Sequence, residues 1–197
     1  MEKVKKSTPA IFMYCVIGVT LIVSIICFCL YYLDVLKSKA ILWTGITAFT
    51  IMYHLWLRII MGNVCKLFKK HLTYDKWWFK ERSFEKKLYK LLRVKKWKDR
   101  ALTYNPQLFV IKDYSLEEIA NTMSKVEVDH WINEIISLST LSFGLIWGNF
   151  WIFLLTAIIA MLFDAQFIVI QRFNRPRIVK IMEIEKKLFD KRKKQNI

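Results

Sequence analysis

The sequence lacks the motifs that bind a nucleotide or build a covalent nucleophile. It contains no Walker loop, no glycine-rich dinucleotide fingerprint, no nucleophile elbow and no His-Glu-x-x-His pair. Covalent catalysis by Ser or Cys therefore has no support. Group transfer assisted by a general base is the chemistry that remains.

Cysteine is scarce and follows no recognisable pattern. The four cysteines match neither a zinc site nor a secreted disulfide framework, and three of them lie in the first apolar segment. A thiol in such a segment behaves as a small apolar group. The spacing Glu127-x-x-His130 could supply two metal ligands, but no second such pair exists, so no metal site is predicted.

Acidic residues are only half as numerous as basic residues. The chain has 16 Asp and Glu against 32 Lys and Arg, while 55% of its 197 residues are apolar. A membrane protein reconciles these values, because it places apolar residues in lipid and basic residues on one side of the bilayer. Nucleic-acid binding is the rival explanation for the charge and the aromatic content. Lipid is the better one, since aromatic residues collect at membrane interfaces, and we predict no nucleic-acid partner.

Four apolar segments predict an all-α protein in which residues 1–197 form one integral membrane domain. The predicted spans are residues 9–33, 40–64, 131–147 and 150–170. A cleavable signal peptide is the alternative for the first span. That span is long for such a peptide and has no small-x-small cleavage site, so we expect a retained helix. Gly148-Asn149 permits a tight turn between the last two spans.

The polar segments 65–130 and 171–197 are predicted to be helical and interfacial. Apolar residues recur at helical spacing opposite a lysine-rich face, which is typical of a helix in the headgroup region: Phe84, Leu88, Leu91 and Leu92. Asn105-Pro106 breaks this pattern. The spacing of Ser115 and Glu118 predicts a capping box, and the helix that it starts is expected to run unbroken to Gly144.

The distribution of basic residues predicts the orientation. The N-terminus, residues 63–130 and residues 171–197 together hold 29 of the 32 Lys and Arg residues. Cytoplasmic segments carry such an excess of positive charge, so both termini are predicted to be cytoplasmic in a multi-pass protein of the cell membrane.

Glu127 and His130 are candidate catalytic residues at the start of the third span. They are three residues apart and share a helix face, and a carboxylate beside an imidazole suits general-base activation of a hydroxyl. The alternative is an ordinary polar border of a membrane helix.

The segment Gln171 to Arg177 follows the fourth span and contains three arginines. Pro176 is predicted to end the helix and to leave Arg172, Arg175 and Arg177 on a shaped turn, where guanidinium groups bind phosphate. A stop-transfer cluster is the alternative. Counted from Gly148-Asn149, His130 and Gln171 differ in height by only roughly 6 Å, so the two motifs are predicted to meet at one rim.

Ionisable residues inside the spans predict a buried ion pair or a polar pocket. Arg58 is expected to bridge to Glu134 or Asp164, with His54 at similar depth.

Four motifs in order resemble the glycosyl-4,4'-diaponeurosporenoate acyltransferase family of staphyloxanthin-type carotenoid synthesis. The resemblance covers roughly residues 65 to 185. The motifs are Phe79-Lys80-x-x-x-Phe84-Glu85-Lys86, Val94-Lys95-Lys96-Trp97-Lys98-Asp99, Glu127-x-x-His130-Trp131 and Gln171-Arg172-Phe173-Asn174-Arg175-Pro176-Arg177. The first span is an addition to this pattern.

The resemblance implies an enzyme that esterifies a sugar hydroxyl of a glycolipid with a fatty acyl group. On that basis His130, oriented by Glu127, takes the hydroxyl proton, and Asn174 donates to the oxyanion. Acyl-CoA is the expected donor and no resident cofactor is expected. The implied substrate-binding residues are Lys95, Lys96, Trp97, Lys98, Trp131, Gln171, Arg172, Arg175 and Arg177. A non-enzymatic protein that binds anionic lipid or an acidic partner is the alternative, as is another lipid-modifying transferase.

Overall fold

The computed structural model describes residues 8–101, 110 and 113–195, and every regular element in these ranges is a helix. This confirms the all-α prediction. Three-residue 3-10 turns link some of the helices, at Lys69–His71, Trp77–Phe79, Lys98–Arg100 and Thr140–Ser142. The helices are α1 (Thr8–Tyr32), α2 (Lys39–Leu67), α3 (Glu85–Leu91), α4 (Val94–Trp97), α5 (Leu116–Ser139), α6 (Phe143–Trp147) and α7 (Phe150–Gln195).

Three helices in the described part of the chain are long and apolar enough to cross a membrane. They contain the segments Ile11–Tyr32, Lys39–Leu67 and Phe150–Lys194. By length and composition, the chain is therefore a multi-pass membrane protein. The predicted third span is not among these helices, so the number of four spans stays a prediction.

The α1–α2 pair forms one side of the bundle and depends on a close approach at Gly45. A Cβ at this position would lie 2.9 Å from the Cβ of Cys27 and 3.2 Å from the ring of Phe28. Helix α2 continues beyond the predicted second span, through Gly62-Asn63 to Leu67. Cys65, in that extra turn, is buried at 4% exposure, and its packing offsets the weak helix propensity of Gly62.

The α5 helix begins as predicted and ends earlier than predicted. The Ser115 hydroxyl accepts from the Glu118 amide at 3.2 Å, and the Glu118 carboxylate accepts from the Ser115 amide at 2.9 Å. The Ser115 amide and hydroxyl both donate to the Glu118 carboxylate, and these bonds lower the pKa of Glu118. The expected unbroken helix to Gly144 is wrong, since α5 stops at Ser139. Hydroxyls there bond to carbonyls three residues back and favour a 3-10 turn: Ser139 to Ile136, Thr140 to Ser137 and Ser142 to Ser139.

The α5–α7 hairpin turns where the sequence predicts it. Gly148 and Asn149 have φ values of 75° and 53°, a left-handed conformation that glycine and asparagine tolerate. α7 then packs back along α5. The apolar core near this turn consists of Ile46, Phe143 and Phe153 with aromatic residues around them. The polar ends of the hairpin therefore return to the same level.

Pro176 does not end the last helix, which corrects the prediction of a shaped turn. α7 continues through it to Gln195. A proline inside a helix costs about 3 kcal/mol or more, so neighbouring contacts must offset it. Phe173 packs edge-on against Tyr89 with ring centroids 5.2 Å apart, and the Arg177 guanidinium donates to the Phe173 carbonyl at 2.6 Å. These contacts hold the turn on both sides of the proline.

Apolar residues at the two ends of α3 are exposed, as an interfacial helix requires. Phe84 and Leu91 are 58% and 79% exposed, whereas Glu85 and Tyr89 face the protein. The predicted break at Asn105-Pro106 and the basic residues Lys3, Lys5 and Lys6 lie outside the described residues.

Candidate active site

The two polar ends of the hairpin meet at Glu127. Its carboxylate accepts from Arg172 Nη1 at 2.6 Å and from Arg175 Nη2 at 2.6 Å, so each oxygen binds one arginine. Glu127 and Arg175 are 0% and 1% exposed. The predicted meeting of the two motifs at one rim is confirmed.

A second carboxylate completes this group of charges. Glu85 accepts from Arg172 Nη2 at 2.5 Å and from the Tyr89 hydroxyl at 2.7 Å. We call Glu85, Tyr89, Glu127, Arg172 and Arg175 the arginine–glutamate cluster. Burial, and then the bond to Glu85, raise the pKa of Tyr89. Two arginines and two glutamates balance in charge, which permits their burial.

The same arginines fix the polypeptide between α2 and α3. Arg172 Nη1 donates to the Trp78 carbonyl at 3.1 Å, and Arg175 Nη2 donates to the Phe79 carbonyl at 2.9 Å. The Arg175 guanidinium also lies 4.9 Å from the centre of the Phe79 ring. The segment around Trp78 is thereby held against α7.

Glu127 does not orient His130, which corrects that prediction. Spacing places the two residues on one face of α5, but the arginines occupy both oxygens of Glu127. The partner of His130 is Asp164, whose Oδ1 lies 2.8 Å from His130 Nδ1. Phe167 stacks on the imidazole with ring centroids 4.7 Å apart and planes 8° apart, so the ring has one defined position.

Asp164 on α7 binds donors from two other helices, α2 and α5. Besides His130, it accepts from Arg58 Nη2 at 2.5 Å and from Asn133 Nδ2 at 3.1 Å. We call Arg58, His130, Asn133 and Asp164 the histidine cluster. The predicted ion pair of Arg58 with Glu134 or Asp164 is confirmed for Asp164.

The geometry of the histidine cluster suits proton transfer. When Asp164 accepts from Nδ1–H, the other nitrogen of His130, Nε2, carries the lone pair that can take a proton. Arg58 already balances the charge of Asp164. The His130 side chain is 19% exposed while that of Asp164 is 1% exposed, so the base is reachable and its support is not.

Buried atoms without a partner occur beside this cluster. In the described ranges, they include His54 Nδ1 and Arg58 Nε. His54 lies one helical turn before Arg58 on α2. Such atoms are expected to bind water or a polar ligand group, because an unpaired buried donor is costly.

Asn174 lies far from His130. It is ten residues beyond Asp164 on the same helix, a separation of about 15 Å along the axis. This separation does not favour the predicted oxyanion role. Gln171 is buried at 7% exposure. Arg177, which is exposed, contacts the ring of Phe173 at 3.4 Å.

The predicted basic motif of residues 95–98 lies beside α7. Lys95 and Lys96 are exposed, and Lys98 pairs with Asp99. Trp97 donates to the Leu92 carbonyl at 2.9 Å and packs against the buried group of Tyr89, Val94 and Phe173. The motif thus presents two free lysines next to the arginine–glutamate cluster.

A cavity of about 820 Å³ lies between α3, α5 and α7. Its walls are largely apolar, and Trp131 and Trp78 flank it with ring centroids 6.4 Å apart. Ligand sites in proteins have such volumes. His130 is not among the lining residues, but Glu134, one turn further along α5, is. The apolar lining includes Leu88, Ile158, Met161, Ala165, Ile168 and Val169, and the charged lining residues are Arg82, Glu85, Glu134 and Arg172.

Sequence reasoning missed three functional positions. Asp164 was considered as a partner of Arg58 and not of His130, although a lone carboxylate in an apolar run is a signal of function. Glu85 and Glu134 face α7 only because of the packing of the helices. No group of three or more His, Cys, Asp and Glu in the described residues could hold a metal ion.

A family comparison covers this whole arrangement except Arg58. The family model for glycosyl-4,4'-diaponeurosporenoate acyltransferase matches residues 75–184, which are 110 of the 197 residues. No curated protein and no solved structure matches the chain. Because the family model spans more than half of the sequence, the chain belongs to the glycosyl-4,4'-diaponeurosporenoate acyltransferase family and is an acyltransferase.

Proposed function

We propose that this membrane acyltransferase moves a fatty acyl group from acyl-CoA to a sugar hydroxyl of a glycolipid such as a glycosylated carotenoid, with His130 as general base. The observation that carries the proposal is the bond between His130 Nδ1 and Asp164, which leaves Nε2 as the proton acceptor.

The reaction needs one proton transfer and one exchange of bonds at the acyl carbon. Nε2 of His130 takes the proton of the sugar hydroxyl while the oxygen attacks the thioester carbon. The carbon–oxygen bond forms, the carbon–sulfur bond breaks, and the thiolate leaves with the electron pair. The proton then passes from the imidazolium to the thiolate, which restores neutral His130. Asp164 stabilises the transient imidazolium.

The phosphates of the donor are assigned to exposed basic side chains. Lys95, Lys96 and Arg177 are exposed near the arginine–glutamate cluster and can meet a ligand from water. Arg172 and Arg175 are also predicted substrate-binding residues, but their guanidinium groups already bind Glu85 and Glu127. Their contribution to phosphate binding is therefore indirect, through the fold of this rim.

The topology of the proposal is four spans with both termini in the cytoplasm of the cell. The third span combines the end of α5 with the 3-10 turn and α6. Support comes from the basic residues on one side of the spans. A cytoplasmic rim gives the histidine cluster access to a water-soluble acyl-CoA.

Acyl transfer by the purified protein in vesicles tests the proposal. We expect labelled palmitoyl-CoA to acylate a glycosylated lipid, and we expect His130→Ala to lower the rate by about 10²–10⁴-fold. Leu138→Ala shortens a side chain on α5 that is 47% exposed, and it serves as the matched control. No acyl transfer by the wild type with any acyl-CoA, or full activity in His130→Ala, would contradict the proposal.

A further inference from the structure

Among the described residues that line the cavity between α3, α5 and α7, Glu134 is a carboxylate without a hydrogen-bond partner. Glu85 and Arg172, which also line it, bind each other at 2.5 Å. Glu134 is buried at 7% exposure, and no side chain in the described ranges hydrogen-bonds its carboxylate. A buried carboxylate needs a donor, so the ligand of this cavity is expected to supply one.

The cavity has the length and the depth of a lipid chain. Its lining on α7 runs from Ile158 to Arg172, fourteen residues or about 21 Å along the axis. This part of α7 lies in a segment apolar enough to cross a membrane. An apolar wall at that depth favours a ligand that is already dissolved in the bilayer.

The end of the cavity near Arg172 has a different character. Trp78 and Trp131 are 43% and 42% exposed there, and Glu134 lies one turn below Trp131 on α5. Sugar rings stack on aromatic side chains through their C–H faces, and their hydroxyls donate to carboxylates. The deep part of the cavity is thus apolar, and the end near Arg172 is suited to a sugar.

We propose that this cavity binds the acceptor glycolipid, with its lipid tail along α7 and its sugar between the two tryptophans, hydrogen-bonded to Glu134. The inference rests on the proposed acyl transfer and adds the binding site of one substrate. A sugar bonded to Glu134 lies within one helical turn, about 6 Å along α5, of His130. Cavity and base are neighbours on the same helix.

The acceptor fits this cavity better than the acyl chain of the donor. The fatty acyl chain of the donor carries no N–H or O–H group, so an acyl chain in the cavity would offer no hydrogen-bond donor to the Glu134 carboxylate. The donor also carries phosphates, which the exposed Lys95 and Lys96 attract on the basic surface. The sugar of the acceptor supplies several hydroxyl donors.

Variation of both chain lengths tests the inference in the full-length protein in vesicles. Ala165→Phe fills the middle of the cavity, and Ile159→Phe is the control, because Ile159 is 59% exposed on the same helix and does not line the cavity. The acceptors are octyl and hexadecyl glucoside, and the donors are octanoyl-CoA and palmitoyl-CoA. With Ala165→Phe we expect the ratio of hexadecyl to octyl glucoside acylation to fall about tenfold, while the donor ratio and the control stay as in the wild type.

A second variant tests the polar end without filling the cavity. Glu134→Gln removes a charged acceptor, so we expect the KM for octyl glucoside to rise about tenfold or more while the KM for palmitoyl-CoA stays unchanged. A change of donor preference in Ala165→Phe, or an unchanged acceptor KM in Glu134→Gln, would overturn the inference. A wild type that acylates no glucoside with either donor would instead contradict the proposed function.

Discussion

The arginine–glutamate cluster and the histidine cluster are close together and chemically different. Arg172 and Asp164 are eight residues apart on α7, about 12 Å along its axis. The first cluster uses both oxygens of Glu127 on buried arginines, and Arg175 is 1% exposed. The second cluster holds a single ring by one nitrogen and leaves that side chain 19% exposed.

This difference assigns a structural role to the arginine–glutamate cluster, and it is consistent with the proposed reactive role of the histidine cluster. The arginine–glutamate cluster ties the segment at Trp78 and helix α3 to the hairpin of α5 and α7. The histidine cluster joins α2, α5 and α7 at one carboxylate and directs one free nitrogen. Charge density alone does not distinguish the proposed catalytic group, because the cluster with more charges is the one that connects the structural elements.

Glu127→Ala is predicted to have the largest effect, and the effect is on stability. It leaves Arg172 and Arg175 without their shared partner in a buried site, at a cost of about 3–5 kcal/mol. We expect a lower yield of folded protein in the membrane and a lower unfolding temperature in detergent. Glu117→Ala, which replaces an exposed carboxylate on the same helix, is the control. Normal stability with lost activity in Glu127→Ala would reverse the roles of the two clusters.

Asp164→Asn is predicted to act mainly on the reaction. The amide no longer fixes the tautomer of His130 and no longer balances Arg58, so acyl transfer should fall by about 10²-fold. The measurement is the initial rate at saturating substrates, with the amount of folded protein determined in parallel. The neighbouring Gln166→Glu change is the control for a charge alteration on α7. A rate equal to that of the wild type would remove Asp164 from the mechanism.

The sequence predicts the helices and turns of this protein better than it predicts the contacts within the candidate site. The apolar runs predict α1, α2 and α7, and the Gly148-Asn149 turn follows from local backbone preferences. The capping box of α5 is equally local. Such features depend on residues that are close in the sequence, so they can be predicted without knowledge of the tertiary structure.

Which side chains pair with one another depends on how the helices pack, so these pairs could not be predicted from the sequence. Glu127 had a histidine at suitable spacing, yet arginines from α7 reach it, because long side chains on that helix point back toward its N-terminus. Pro176 predicts a helix end from local rules, whereas the contacts of Phe173 and Arg177 keep α7 continuous. The location of the candidate site was therefore predicted from the sequence, but its hydrogen-bond partners were not.

The variants Arg175→Lys and Arg177→Lys compare a buried and an exposed arginine of the same motif. Lysine cannot reach both Phe79 and Glu127 with a planar group, so we expect a loss of about 1–3 kcal/mol in unfolding free energy. Arg177→Lys, at an exposed position where the ammonium can still donate to the Phe173 carbonyl, should cost less than about 0.5 kcal/mol. Thermal unfolding in detergent measures both. Equal losses would show that burial does not distinguish these arginines.

The double change Lys95→Ala and Lys96→Ala is predicted to have the smallest effect. Exposed charges attract the donor without rigid contacts, so the KM for palmitoyl-CoA should rise by about tenfold or less, and the difference should shrink at high salt. Replacement of Lys191 and Lys193, in the exposed tail, is the matched control. Unfolding of the Lys95 and Lys96 variant would place these residues with the scaffold.

Acyl transfer per folded molecule, measured side by side for His130→Ala and Glu127→Gln, tests the division between the two clusters most directly. We predict that His130→Ala accumulates as the wild type does and loses about 99% or more of its specific rate. Glu127→Gln should accumulate poorly, while each folded molecule keeps a rate close to that of the wild type. A His130→Ala protein with the wild-type specific rate, or a stable Glu127→Gln protein without activity, would contradict the account.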